Sequence, residues 1–281
     1  VSERGHGQDQ TAYPMKLAFR VSYLGYRFAG SQMQNDQRTV EGEFIAACQR
    51  LALFDDWRDA GFASAGRTDR GVHARSQIIA FSTDEPERAK KALNLHLPPD
   101  CWCTGWTEVP PDFHPRYAAK SRTYRYYFLD HFPQYSAMEE AAGLFTGTHN
   151  FSRFSRADER VPVRTILESR MVEDPPFSYL TITGESFLWN MVRCIATSLE
   201  CAGKGELEVE KIKSLLSGEN GVRIAAAPPE GLILWDVDCG LPLNPLKLNP
   251  KRKRSFQALI KEAMLMQKVL REVCVNDLFE F

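Results

Sequence analysis

What this sequence lacks narrows it first. Its seven cysteines, Cys48, Cys101, Cys103, Cys194, Cys201, Cys239 and Cys274, are odd in number and contain no Cys-x-x-Cys pair. That argues against a disulfide framework and against a zinc site. The thiols read as reduced, small core hydrophobes, which implies a cytoplasmic protein. Cys101-x-Cys103 has no nearby His partners, so no metal is assigned to it. Long apolar runs are also missing, and nothing approaches the roughly 20 residues of a membrane span. The opening "VSERGHGQDQTAYP" has no signal-peptide core, and residues 1–14 are expected to form a disordered extension. No Gly-rich phosphate loop occurs. Net charge is nearly absent too: 35 Lys and Arg face 36 Asp and Glu. A wholly basic nucleic-acid binder is thereby excluded, although segregated charge is not.

Charge is in fact segregated. Arg116, Lys120, Arg122 and Arg125 fall between His114 and Tyr127 with no acid among them, and "KLNPKRKR" carries five basic residues and no acid. Such clustering permits a basic groove on a neutral protein. "KLNPKRKR" reads as an RNA-binding or dimer-related arm, against the alternative of a solvated linker.

Periodicity divides the rest into two halves. Leu17, Phe19, Val21 and Tyr23 alternate with polar residues, as in a half-buried strand. A helix is expected in "TVEGEFIAACQRLAL", strands at 61–66 and 76–82, a helix in "EPERAKKALNLHLP" and a strand in "CWCTGWTEV". This β-α-β-β-α-β order predicts an α+β fold of ferredoxin-like type. The order recurs downstream: "SRTYRYYFLD" (strand), "YSAMEEAAGLF" (helix), a hairpin turning at Asp174-Pro175-Pro176, "LWNMVRCIATSLECAG" and "EVEKIKSLLSG" (helices), and "GLILWDVDC" (strand). The expected organisation is a domain at 15–110, a second at 111–240 and an appendix at 241–281 holding the basic segment and an amphipathic helix. Two antiparallel sheets are expected to meet at a central cleft.

"AGRTDRGVHA" lies between two strands and is dense in functional groups. An aspartate in a Gly-flanked turn commonly caps its own backbone. Asp69, however, has Arg67 two residues before it and Arg70 directly after it, and nearby positive charge favours the ionised form that a carboxylate nucleophile needs. His73 reads as structural in the turn. A glycosidase would need two facing carboxylates, and the motif offers one; Asp84 and Glu85 lie beyond a strand. A non-catalytic RNA-binding module of the RRM type would show an aromatic RNP strand, and none occurs.

The motif resembles G-R-T-D-x-G-V-H-A, the signature of the TruA family of tRNA pseudouridine synthases. Four more blocks resemble that family in order: "YLGYRFAGSQMQNDQRTVEGEF", "DFHPRYAAKSRTYRYYF", "FLWNMVRCI" and "AAAPPEGLILWDV". Together the five cover about residues 16–238. One departure stands out: Ser31-Gln32 replaces the Trp-Gln that often follows the first loop, so a different contact with RNA is expected there.

The resemblance implies that Asp69 is the catalytic aspartate. It would attack ribosyl C1′, attack the uracil ring, or assist a glycal-type intermediate. The implied reaction isomerises uridine to pseudouridine at positions 38 to 40 of the tRNA anticodon stem-loop, without cofactor or metal. Arg193 is the implied partner of Asp69, and Tyr124 the implied stacking residue for the flipped uracil, although Tyr124 also shares a strand face with Tyr126 and Phe128. Arg67 is expected to intrude where the target base leaves the stack. Arg70, Arg75, Arg116, Lys120, Arg122 and Arg125 are candidate phosphate contacts. Family members act as homodimers with tRNA spanning both subunits.

Overall fold

A computed structural model describes residues 14–129, 131–156, 161–219, 221–248 and 250–273. Most of the extension expected at 1–14, and Cys274, lie outside the described residues. The elements run in the order β1 (Met15–Tyr23), α1 (Val40–Arg50), β2 (Ala63–Ser64), β3 (His73–Thr83), α2 (Pro86–His96) and β4 (Cys101–Glu108). Then come α3 (Pro115–Ala118), β5 (Ser121–Phe128), α4 (Tyr135–Leu144), β6 (Gly147–Asn150), β7 (Val163–Asp174) and β8 (Phe177–Gly184). The chain continues through α5 (Met191–Gly203), α6 (Val209–Leu216), β9 (Leu232–Asp238), β10 (Asn244–Pro245) and α7 (Pro250–Val273).

The strands form one mixed sheet in the order β10-β4-β1-β3-β9-β5-β8-β7-β6, with β2 paired to β3. β1 occupies one side of β3. The other side pairs with β2 at Ile79 and Ala80 and with β9 at His73 and Ala74. The β3–β9 step is parallel and only two pairs long, whereas the other pairings are antiparallel. The two expected sheets are thus continuous, joined at the start of β3 directly after the Asp69 motif.

Alternation along the strands fills the helix-covered face. Leu17, Phe19 and Val21 of β1 are fully buried, as are Ile79 and Phe81 of β3. Phe19 stacks on Phe81 with ring centroids 5.6 Å apart. On the other side of the junction, Leu180, Ile182 and Leu234 are fully buried beside the apolar stripe of α5, which includes Ile195 and Leu199. Burying side chains of this size is the main favourable term for the fold.

The carboxyl end of the chain is organised by one arginine. Arg252 of "KLNPKRKR" turns inward and donates from Nη1 to the carbonyls of Pro98 (2.9 Å) and Cys101 (2.7 Å). Its Nη2 donates to Asn94 and Leu97, both at 2.9 Å. These carbonyls lie at and just beyond the end of α2, where helical acceptors have no intrahelical donor. Within the segment, Arg252 therefore acts as an internal cap, while Lys251, Lys253 and Arg254 are exposed. No helix among the described residues is long and apolar enough to cross a membrane.

Candidate active site

Asp69 sits on the 65–72 loop between β2 and β3, and this loop is anchored before its side chains are considered. The Ala65 amide donates to the Ile78 carbonyl (2.9 Å), and Gln77 Nε2 donates to the Gly66 carbonyl (2.8 Å). The Thr68 amide donates to Ser31 Oγ (2.8 Å), the Ser31 amide donates back to the Thr68 carbonyl (3.0 Å), and Tyr23 Oη lies 2.8 Å from Thr68 Oγ1. Ser31 is 2% exposed. At this departure from the family pattern, where the sequence predicts a different contact of the loop with RNA, the Ser31 side chain turns inward and holds the Asp69 loop.

The two glycines of the motif do different work. Gly71 has a φ of +84°, and a Cβ there would fall 2.8 Å from Pro229 Cγ, so turn geometry and close packing both call for glycine. At Gly66 an added Cβ would meet nothing within 4 Å. The missing side chain leaves clear space on that side of the loop.

The Asp69 carboxylate, one-third exposed, is met from the second half of the chain. Arg193 Nη1 lies 3.4 Å from Oδ2, and Trp189 Nε1 donates to Oδ1 at 3.1 Å. Arg193 is fixed independently: its Nε donates to the Ala227 carbonyl (2.6 Å) and its Nη1 to Asn190 Oδ1 (3.3 Å). Asn190 takes a left-handed conformation with φ of +61°, so α5 starts at Met191 rather than at Leu188. That turn places Trp189 outside the helix while Arg193 occupies its first turn. Both reach the same carboxylate.

Tyr124, close enough to feel the Asp69 charge, is buried and edge-to-face with Phe187 at 5.1 Å. Burial pushes its phenol up to about 12, with Arg122 opposing the shift and the Asp69 charge adding to it. The hydroxyl is therefore protonated at neutral pH and available as a donor. His73 accepts a hydrogen bond at Nδ1 from the Gly25 amide (2.9 Å) and packs against the edge of Tyr26. Burial lowers its pKa and favours the neutral ring. It ties the loop to the segment after β1.

The candidate cations separate into three groups. Arg67, Arg70, Arg116 and Lys120 are exposed, and Arg70 donates to Gln37 (3.3 Å). Arg122 is turned into the protein: Nη1 donates to the Glu185 carbonyl (2.7 Å), and Nη2 to the Ala65 (3.0 Å) and Arg116 (2.9 Å) carbonyls. It braces the base of the Asp69 loop against the second half. Arg75 and Arg125 leave the sheet on the face opposite Tyr124. Their guanidinium carbons lie 4.4 and 3.5 Å from the Trp235 ring centroid, beside a cleft of about 640 Å³ that Tyr127 and Phe177 also line. The structure thus brings Asp69, Arg193 and Tyr124 together, with Arg67 and Arg70 on the same loop, and directs Arg75 and Arg125 away from them.

Sequence reasoning missed Trp189, Asn190 and the inward role of Ser31. Trp189 stands four residues before Arg193 inside "FLWNMVRCI", and residues four apart on a helix share a face, so that spacing is the signal that could have found it. Among the described residues no group of three or more His, Cys, Asp or Glu side chains comes together. Cys48, Cys101, Cys103 and Cys194 are buried, and burial raises the pKa of each thiol.

A family model described as tRNA pseudouridine synthase matches residues 141–238. A protein of Methanoculleus marisnigri named tRNA pseudouridine synthase A is 58% identical over 91% of this chain and 94% of its own length. A namesake in Methanosphaerula palustris is 50% identical over 91% of both chains. A solved structure of a Cbf5-Nop10-Gar1 complex aligns at a TM-score of 0.36 with 12% identity, over 76% of this chain and 47% of that one. The five motif blocks and these identities across nearly the full length of both relatives agree: the chain belongs to the TruA family of tRNA pseudouridine synthases, which are isomerases.

Proposed function

We propose that this protein converts uridine to pseudouridine at positions 38 to 40 of the tRNA anticodon stem-loop, with Asp69 as the reacting carboxylate. The observation that carries the reading is the convergence on Asp69 of Arg193 and Trp189 from the far half of the chain, near buried Tyr124. The isomerisation breaks the N1–C1′ bond, turns the base, joins C1′ to C5, moves the C5 proton to solvent and returns a proton to N1. Atoms balance without any change of oxidation state. Arg193 brings a positive charge to the carboxylate and favours its ionised form. The protonated Tyr124 offers an aromatic edge and a hydroxyl to the flipped uracil. Arg67 and Arg70, exposed on the same loop, fit phosphate contact or intrusion into the stack.

The division into domains at 15–110 and 111–240, each ferredoxin-like, is supported by strand order. β4-β1-β3 with β2 at the side of β3 corresponds to β9-β5-β8-β7. The protein acts as a homodimer in the cytoplasm on this reading, a setting that suits a tRNA substrate and free buried thiols.

Release of tritium from tRNA labelled at uridine C5 tests the proposal. The wild-type protein is expected to release label from the anticodon stem, and Asp69→Asn to release none while still binding tRNA, because phosphate contacts supply most of the affinity. A wild type that releases no tritium from the anticodon stem refutes the substrate assignment. An Asp69→Asn variant that turns over normally refutes the site.

A further inference from the structure

We infer that Trp189 is a positioning residue for the reaction: its indole N–H sets the plane of the Asp69 carboxylate. This rests on the reading of Asp69 as the reacting carboxylate. Three observations carry it.

First, the two oxygens of Asp69 have different donors, and the neutral one is nearer. Trp189 Nε1 is 3.1 Å from Oδ1, whereas Arg193 Nη1 is 3.4 Å from Oδ2. Charge-assisted N–H···O contacts are usually about 2.7–2.9 Å, so the Arg193 contact is a loose one. Arg193 is already held by the Ala227 carbonyl and Asn190 Oδ1. One loose contact to a side chain that is one-third exposed does not fix its torsion. Donors on both oxygens do.

Second, apolar burial does not explain the residue. Trp189 is 44% exposed, among the larger exposed hydrophobics of the protein, although it stands beside a helix whose apolar stripe is buried. A tryptophan kept for packing would turn into that core.

Third, the indole is itself held in place. The Arg156 amide donates to the Trp189 carbonyl (2.9 Å), and the Arg156 guanidinium covers the ring at 4.0 Å from its centroid. The left-handed Asn190 fixes the exit direction of the backbone. A half-exposed aromatic ring that is clamped on one face and pinned at its backbone is built to present its N–H. Being neutral, that N–H gives the carboxylate direction without a second positive charge to weaken it as a nucleophile.

Trp189→Phe keeps the ring under Arg156 and removes only the donor. Trp189→His restores a ring N–H. Single-turnover rates on saturating tRNA, tRNA dissociation constants and melting temperatures are to be measured for both, with Asp69→Asn in parallel. The expected result for Trp189→Phe is a rate lower by about tenfold or more, the loss anticipated for one hydrogen bond to a charged group. Affinity should stay within about twofold, the melting temperature should be unchanged, and Trp189→His should recover part of the rate. An unchanged rate in Trp189→Phe, with Asp69→Asn inactive, overturns the proposal and leaves the Asp69 reading standing. A loss in Trp189→Phe matched by an equal loss of affinity also overturns it, because Trp189 is then an RNA contact. A His variant no better than Phe overturns the role of the N–H. Full activity of Asp69→Asn instead removes the reading on which the proposal rests.

Discussion

Arg122 and Arg125 stand three residues apart on the same strand and have opposite fates. Arg122, near the end of β5 closest to the Asp69 loop, is turned inward and gives its protons to carbonyls of three separate segments. Arg125 leaves the opposite face and lies between the rings of Trp235 and Tyr179, at 3.5 and 4.6 Å. The sequence shows two basic residues in one acid-free cluster and treats them alike. A strand separates them because odd and even positions face opposite ways. One face of the sheet holds the Asp69 site under the helices. The other is a lane of arginine and aromatic contacts where Arg75, Trp235, Arg125 and Tyr179 alternate across neighbouring strands.

The contrast can be broken by mutation. The largest effect is expected at Arg122. Arg122→Ala strips donors from the carbonyls of Ala65, Arg116 and Glu185, and the partly buried Ala65 acceptor is the costly one to leave without a donor. A loss of about 1–3 kcal/mol of unfolding free energy is expected in a denaturant titration, with a fall in turnover because Ala65 anchors the Asp69 loop. A loss below about 0.5 kcal/mol would class Arg122 with ordinary surface charges. Arg125→Ala is expected to act more gently. Cation–π contacts at such sites contribute about 0.5–2 kcal/mol, and the rate of the chemical step at saturating tRNA should stay within about threefold. A collapse of that rate would show that the two faces are coupled.

The smallest effect concerns His73, whose folded pKa lies below its ordinary value of 6.5 because burial disfavours the charged ring. A depressed histidine binds its proton more readily when unfolded. Its contribution to stability is therefore full above about pH 6.5 and declines as pH falls from there toward the folded pKa. Stability of the wild type, measured from pH 7.5 to 5.5, should fall more steeply than that of His73→Gln. Parallel slopes would count against a buried neutral His73. His114, also lowered by partial burial, is common to both proteins and cancels in the comparison.

The basic cluster at 251–254 teaches the same lesson on a smaller scale. Four cations in a row read as an arm for RNA or for a second subunit. Arg252 is instead drawn to the end of α2, where helix-end carbonyls lack donors, while its neighbours remain in solvent. Local charge density does not say which member of a run finds such acceptors.

Much of the fold was legible because it is local. Alternation in 16–23, the helical stripe in 40–51 and the hairpin at Pro175–Pro176 all follow from side-chain period and turn chemistry, and the helices and strands fall close to where those signals put them. The motif was legible because charged and turn-forming residues crowd it. Boundaries failed where tertiary contacts override propensity. "LWNMVRCI" reads as helix from Leu188, but Asn190 breaks out of it so that Trp189 can meet Asp69, more than a hundred residues away in sequence. Ser31 carried no signal of its own direction, and only the approach of Thr68 shows that it faces inward.

By itself, then, the sequence determined most of the helices and strands, their order, the place of Asp69 in a glycine-bearing turn and the family signature. These depend on residues within a few positions of one another, where backbone period and steric preference act alone. Only the tertiary structure decided that Trp189 joins Arg193 at Asp69, which arginine braces the loop and which lie behind the sheet. Those choices depend on a two-pair parallel junction between β3 and β9 that brings both halves of the chain to the base of one loop. Contacts between distant segments require the register of the whole sheet, and no short stretch of sequence carries it.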